Sequence, residues 1–263
     1  MNITRRRVIA ASSVPVTLAA LAAGQLPASA RPSATAAVPT STASSASPSV
    51  AAHPMSPATP STASAASMLR LGSKGTAVRT AQQRLAALGY WLGTADGVYG
   101  SSTMHAVIAL QKVAGLARDG VLGPRTAKAL AAGTRPAART KRGDVIEIDL
   151  AHQVLLVVHT GHVRMVLDTS TGSGAYYYSL GRLHHAVTPK GTYHVYRAVN
   201  GWDPGPLGRL YRPRYFNGGI AVHGYPTVPT RPASHGCVRV TIAAMDYLWA
   251  HKLLPIGRSV LVR

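Results

Sequence analysis

With 263 residues and 46% apolar content the chain can hold one large folded domain or two small ones, and 28 basic against 8 acidic residues give a formal charge of +20. Such a surface attracts polyanions, yet the sequence has no basic and aromatic reader motif, so a nucleic-acid partner is not expected. One cysteine, Cys237, excludes a disulfide within the chain, and a lone thiol in an oxidising compartment calls for a task.

Residues 1–30 read as an export signal: Arg5-Arg6-Arg7, an apolar stretch from Val8 to Leu26, then Ala28-Ser29-Ala30 as a small-x-small cleavage site. Thr4 to Ile9 fits a twin-arginine pattern nearly as well as a Sec leader, so the Tat or Sec route stays open. The chain is therefore expected to be exported, with membrane contact only if the signal segment is retained, and losing the three leader arginines leaves +17. Residues 31–67 are nearly all Ala, Ser, Thr and Pro, a composition that cannot form a core and reads as a disordered tether spanning up to roughly 110 Å.

Residues 68–132 carry an internal repeat. Asp96-Gly97-Val98-Tyr99-Gly100-Ser101-Ser102-Thr103 recurs as Asp119-Gly120-Val121-Leu122-Gly123-Pro124-Arg125-Thr126, each copy followed by a helical apolar pattern. Asp-Gly supplies a tight turn, the next Gly releases the chain, and Ser, Thr or Pro opens a helix. A preceding helix over 76–88, with Val78, Ala81, Leu85 and Leu88 on one stripe and Gly89 as its stop, makes three short helices. The second should turn Val107, Leu110 and Ala114 inward. The stretch resembles the three-helix type of bacterial peptidoglycan-binding domain through Leu71-Gly72, Gly75, Val78, Gln82, Leu85, Leu88-Gly89-Tyr90, Asp96-Gly97, Gly100, Thr103, Ala106-Val107 and Gln111. That resemblance implies docking to wall polymer. Asp96 and Asp119 are expected as turn formers, while Tyr90, Trp91 and Tyr99 fit either a core or a sugar-stacking role.

Residues 133–142 form a short basic linker, after which the period changes. Ile146, Ile148 and Leu150 alternate with Glu147 and Asp149, and Thr160-Gly161 precedes a second apolar run to Leu167, which predicts a β-hairpin. Strands are expected at 191–196 and 259–262, with a helix over 241–252 that sets Ile242, Met245, Leu248 and Trp249 on one side. The fold class is α+β: signal and linker, a small three-helix domain at 68–132, then a mainly-β domain at 143–263.

The chemistry concentrates in that last domain. His223 ends the apolar run Ile220-Ala221-Val222 and precedes Gly224, and further on comes Ser234-His235-Gly236-Cys237-Val238-Arg239. Thiol acyl transfer needs a Cys on a Gly turn, a His from another segment to take its proton, and backbone N–H groups for an oxyanion. Pairing with an imidazolium would lower the thiol pKa and give a thiolate at neutral pH. His184-His185 hint at metal, but strand neighbours point to opposite faces and a surface pair is the simpler reading.

These residues resemble the signature of the YkuD-type L,D-transpeptidase catalytic domain, His-Gly followed by Ser-His-Gly-Cys-x-Arg, with Ser170-Thr171-Gly172 and Thr188-Pro189-Lys190-Gly191-Thr192-Tyr193 as upstream support. The resemblance implies Cys237 as nucleophile, His223 as proton acceptor and donor, the Gly224 carbonyl as orienter of the imidazole, and the Gly236 and Cys237 N–H groups as oxyanion donors. It gives Ser234, His235 and Arg239 supporting roles in loop shape and substrate contact. It also implies a cysteine-dependent acyltransferase that joins third residues of peptidoglycan stem peptides through a thioester, needs no metal or cofactor, and is acylated by carbapenems. Its partners would be stem peptides and glycan, with anionic wall polymers as a further candidate, at the cell wall or outside the cell. The same site would serve an L,D-carboxypeptidase if water were the acceptor, or a protein-anchoring enzyme. A zinc hydrolase lacks a His/Asp cluster of suitable spacing, and a non-catalytic wall-binding protein remains the bland alternative. The aromatic stretch 176–185 is longer than the family's usual connection, and 202–216 is a candidate lid.

Overall fold

In the computed structural model the described residues are 68–263, so the expected signal and tether lie outside them. Three helices come first: α1 (Thr76–Ala87), α2 (Ser101–Val113) and α3 (Pro124–Ala131). Each ends the same way. Gly89, Gly115 and Gly133 take φ of 84°, 65° and 71°, and the next residue's N–H reaches back to Leu85, Gln111 or Ala129. Only glycine adopts that conformation without strain, so these three close their helices where the apolar pattern stops.

The repeat has a structural counterpart. Gln82 Nε2 donates to Asp96 Oδ1, the Val98 carbonyl and Thr103 Oγ1, while its Oε1 accepts from Gly97 N–H. Gln111 does the same with Asp119, Val121, Thr126 and Gly120. Each turn aspartate also accepts the N–H two residues on, at 2.8 Å for Val98 and 2.9 Å for Val121. A buried amide thus satisfies each turn, and both aspartates are turn formers within the fold. Tyr90 and Tyr99 are buried, with their hydroxyls on the carbonyls of Thr134 and Gly120. Half-buried Trp91 lies against Tyr247. The two tyrosines are core residues and offer no face to a sugar.

Then follow β1 (Asp144–Asp149), β2 (Val154–His159), β3 (His162–Asp168), the hairpin β4 (Tyr176–Ser179) and β5 (Arg182–His185), β6 (Gly191–His194), β7 (Arg197–Ala198), β8 (Trp202–Gly205), β9 (Gly208–Asn217), β10 (Ile220–Tyr225), β11 (Val238–Thr241), α4 (Ile242–Ala250) and β12 (Ser259–Val262). One sheet runs β3-β2-β1-β12-β6, and a second runs β11-β10-β9-β7 with β8 also on β9. The pairs β1/β12 and β10/β11 are parallel, and the rest are antiparallel. The β2–β3 turn puts Thr160 and Gly161 at φ 46° and 82°, the geometry that matches strand twist.

β2 reads Val-Leu-Leu-Val-Val because both faces of its sheet are covered. Val154, Leu156 and Val158 point at the helices, whereas Leu155 and Val157 point at the second sheet and α4. Tyr90 bridges to Val166 at the edge, with Trp91 N–H on the Val166 carbonyl. Glu147, on the face opposite Ile146 and Ile148, is nonetheless fully buried, held by the N–H groups of Arg139 and Thr140, the Thr140 hydroxyl and Arg263. The linker residues 139–140 are therefore part of the packed structure.

Lys112 is the largest departure from the helical pattern. It is 1% exposed and donates from Nζ to Asp168 Oδ1 at 2.5 Å and to the carbonyls of Thr169 and Gln153 at 2.8 and 3.2 Å. All three donors of the ammonium are used, and His105 meets the other oxygen of Asp168 at 2.7 Å. We expect Lys112→Met to destabilise the protein by about 3 kcal/mol, because it strands a buried carboxylate, and the double variant with Asp168→Leu to recover part of that loss. Denaturant unfolding of the three proteins measures both effects.

Candidate active site

The local register of β10 and β11 brings the signature residues together. Val222 pairs with Val238 and His223 with Arg239 in parallel. Cys237, one residue before β11, therefore falls opposite Ala221, on the same face as His223 and diagonal to it. Both residues line a small cavity of about 130 Å³ together with Ser234, His235 and Arg239. Cys237 also borders a larger one of about 660 Å³.

His223 is 1% exposed, and its Nδ1 lies 2.9 Å from the Gly224 carbonyl. Since that oxygen only accepts, Nδ1 carries the proton and Nε2 keeps its lone pair. Gly224 is required by packing: a Cβ there would press on Tyr211 and Met245. Burial pushes His223 down to about 4, with Gly224 opposing and the Arg239 charge adding to the fall. The Cys237 sulfur is half-buried, with the Gly219 carbonyl at 3.7 Å. Burial pushes its thiol up, against the opposing Ala221 N–H and the Arg239 charge. Removal from water penalises either charge, so burial at this site acts against a thiolate–imidazolium pair.

The turn bearing the cysteine is built by its own hydroxyl. Ser234 Oγ donates to the Cys237 carbonyl at 2.6 Å and accepts the Gly236 N–H at 3.0 Å. That N–H is therefore engaged inside the turn, contrary to its expected place in an oxyanion hole. Gly236 has φ 136°, and a Cβ on it would strike the Val187 carbonyl, so glycine is needed for backbone geometry and not only for substrate approach.

The two upstream motifs hold this turn in place. Ser170 pairs with Arg239 in both directions, and Ser170 Oγ donates to the Arg231 carbonyl. Thr171 accepts the N–H groups of Ala233 and Ser234. Thr188 Oγ1 donates to the Gly236 carbonyl at 2.6 Å and accepts the Gly172 N–H at 3.0 Å, so one buried hydroxyl ties both motifs to the cysteine turn. Thr188 was visible in the sequence only as part of a motif, without a role.

Arg239 finds no carboxylate: it donates to the Ala233 carbonyl and stacks on Tyr225 at 4.2 Å. His235 is exposed, edge-on to Tyr177 at 4.5 Å. The stretch 176–185 forms the hairpin β4–β5, where Tyr176 stacks on His185 and Tyr177 on His184. Both histidines border the larger cavity, whose opposite wall is the β8–β9 hairpin around Leu207. Among the described residues no group of three His, Cys, Asp or Glu could hold a metal ion.

Residues 143–262 match the L,D-transpeptidase catalytic domain family, and residues 74–130 match a peptidoglycan-binding domain family. The solved structure of an L,D-transpeptidase from Xylanimonas cellulosilytica is 49% identical, with a TM-score of 0.72, covering 74% of this chain and 97% of that one. The chain belongs to the L,D-transpeptidase family. The chain is also 46% identical over 78 residues to a probable N-acetylmuramoyl-L-alanine amidase of Bacillus licheniformis, covering 29% of this chain and 22% of that protein. It is 49% identical over 71 residues to the amidase CwlL of the same organism, covering 26% of this chain and 20% of that protein. The chain thus spans only about a fifth of the length of these curated relatives.

Removing the Thr188 hydroxyl should loosen the cysteine turn. We expect Thr188→Val, which leaves a buried carbonyl and N–H unpaired, to lower stability by about 2 kcal/mol in thermal unfolding and to slow acylation of Cys237.

Proposed function

We infer that the protein is an exported cell-wall enzyme that cross-links peptidoglycan stem peptides through a thioester on Cys237. The observation that carries this is the pairing of a half-open thiol with an imidazole whose Nδ1 is fixed on Gly224, on one face of adjacent parallel strands. In the first step His223 Nε2 takes the thiol proton as the sulfur attacks the carbonyl carbon of the third stem residue. The imidazolium then protonates the departing amine of terminal D-Ala as the C–N bond breaks, and the thioester remains. In the second step the side-chain amine of another stem attacks the thioester, gives its proton to His223, and displaces the sulfur, which recovers that proton. One base serves both halves, and atoms and charges balance without a metal or cofactor.

A neutral base suits this cycle. A base held near 4 stays unprotonated throughout the neutral range, so it is free to take the thiol proton as the sulfur attacks the substrate carbonyl. The Cys237 N–H is the candidate oxyanion donor, since Gly236 is engaged with Ser234. The peptidoglycan-binding match and the amidase relatives support wall polymer as the partner.

Incubation with tetrapeptide muropeptides should yield dimers joined through third residues; release of D-Ala and tripeptide alone would identify a carboxypeptidase instead. Meropenem should add one adduct mass to the wild type and none to Cys237→Ala, whose turnover should fall at least about 10³-fold. The pH profile is equally specific. Protonation of His223 removes the acceptor, so kcat/KM should fall as pH drops through about 4. An acidic limb near 6.5, the ordinary imidazole value, would count against His223 as the base.

A further inference from the structure

Of the eight carboxylate side chains in the chain, every one is engaged within the fold. Asp96 and Asp119 hold their turns; Asp168 meets Lys112; Glu147 and Asp149 share Arg263; Asp144, Asp203 and Asp246 pair with Arg258, Arg197 and Arg212. The remaining cations therefore have no internal counter-charge to draw on. They are not spread evenly.

A cleft of about 550 Å³ lies between the end of α1, the segment 135–141 and the β2–β3 turn, and its wall carries Arg135, Lys141, Arg164 and His162 with no acidic residue. Arg135, Lys141, Arg164 and His162 are all exposed, and none has a carboxylate within ion-pair distance among the described residues. Arg135 is pre-positioned: its Nη2 donates to the Val163 carbonyl at 2.7 Å, which fixes the guanidinium across the cleft and leaves its other donors free. At Gly89, beside the cleft, a Cβ would crowd the Arg164 carbonyl at 3.3 Å. In the last turn of α1 the carbonyls of Leu85 and Ala86 are taken by the N–H groups of Tyr90 and Gly89.

We propose that this cleft is a binding site for a phosphodiester-linked polyol polymer, engaged by Arg135, Lys141 and Arg164. Three cations converging on a concave wall match phosphates along a flexible chain. A flat array of anionic lipid headgroups cannot enter such a cleft. The site is separate from the cavities that border Cys237 and shares no lining residue with them. Binding there would hold the enzyme on an anionic wall polymer while the cysteine site remains free.

The test is titration of the full chain with oligo(glycerol phosphate) at several salt concentrations. Arg135→Gln/Lys141→Gln/Arg164→Gln should weaken binding about tenfold or more and flatten its salt dependence. A control of equal charge change elsewhere in the helical region, Lys74→Gln/Arg125→Gln/Lys128→Gln, should change it less than about twofold. Because Arg135 also bonds to Val163, Lys141→Gln/Arg164→Gln is made as well, and should keep wild-type thermal stability yet lose most of the same affinity. Equal losses in the cleft and control variants would overturn the site in favour of diffuse attraction, as would unchanged binding in both cleft variants. Tighter binding to phosphatidylglycerol vesicles than to the oligomer, abolished in the cleft variants, would overturn the polymer assignment. Turnover of soluble muropeptides should be the same in all these proteins, so the outcome is independent of the cysteine chemistry.

Discussion

One buried cation joins the helical layer to the sheet. Lys112 reaches from α2 to Asp168 at the end of β3 and to the carbonyls of Gln153 and Thr169. Burial pushes the ammonium pKa down, and the charge and hydrogen bond of Asp168 oppose that shift. The consequence runs to the active site. Thr169 Oγ1 donates to the Arg239 carbonyl at 2.6 Å, and the next two residues, Ser170 and Thr171, hold both sides of the cysteine turn. The helical region is thus tied by a short chain of hydrogen bonds to the strand end that presents Cys237.

Packing tells the same story. Without the helices, Val154, Leu156, Val158 and Val166 would open an apolar sheet face to water, which isolated soluble domains rarely tolerate. The two regions share one core on that side, while a second core fills the space between the two sheets and α4. The region that matches a peptidoglycan-binding domain family therefore also completes the fold of the L,D-transpeptidase catalytic domain.

The electrostatics follow from scarcity of acid. With eight carboxylates all bound internally, no negative charge is available to hold an imidazolium beside Cys237, and Arg239 adds positive charge nearby. His223 is therefore oriented by a neutral carbonyl. A base oriented in that way can accept a proton without first having to lose one, which favours a thiol that is activated at the moment of attack. The same scarcity leaves the cations of the interdomain cleft uncompensated.

Much of this could be read along the chain, because local rules decide it. The three helix-stopping glycines, the Asp-Gly turns, the hairpin at Thr160-Gly161, the last strand and the order His223-Gly224 then Ser234-His235-Gly236-Cys237 all depend on neighbours in sequence. Other features depend on residues far apart and had no local signal. Lys112 occupies a helix position where a lysine ordinarily faces water, and only the arrival of Asp168 and two carbonyls makes burial tolerable. Glu147 looked like the polar half of an alternating strand, but the linker and Arg263 enclose it. The pKa shifts of Cys237 and His223 had no local signal for a related reason: the sequence names the groups, while the depth of burial and the Arg239 charge shift them. Contact between distant segments decides desolvation, and desolvation is not encoded in any single stretch of residues.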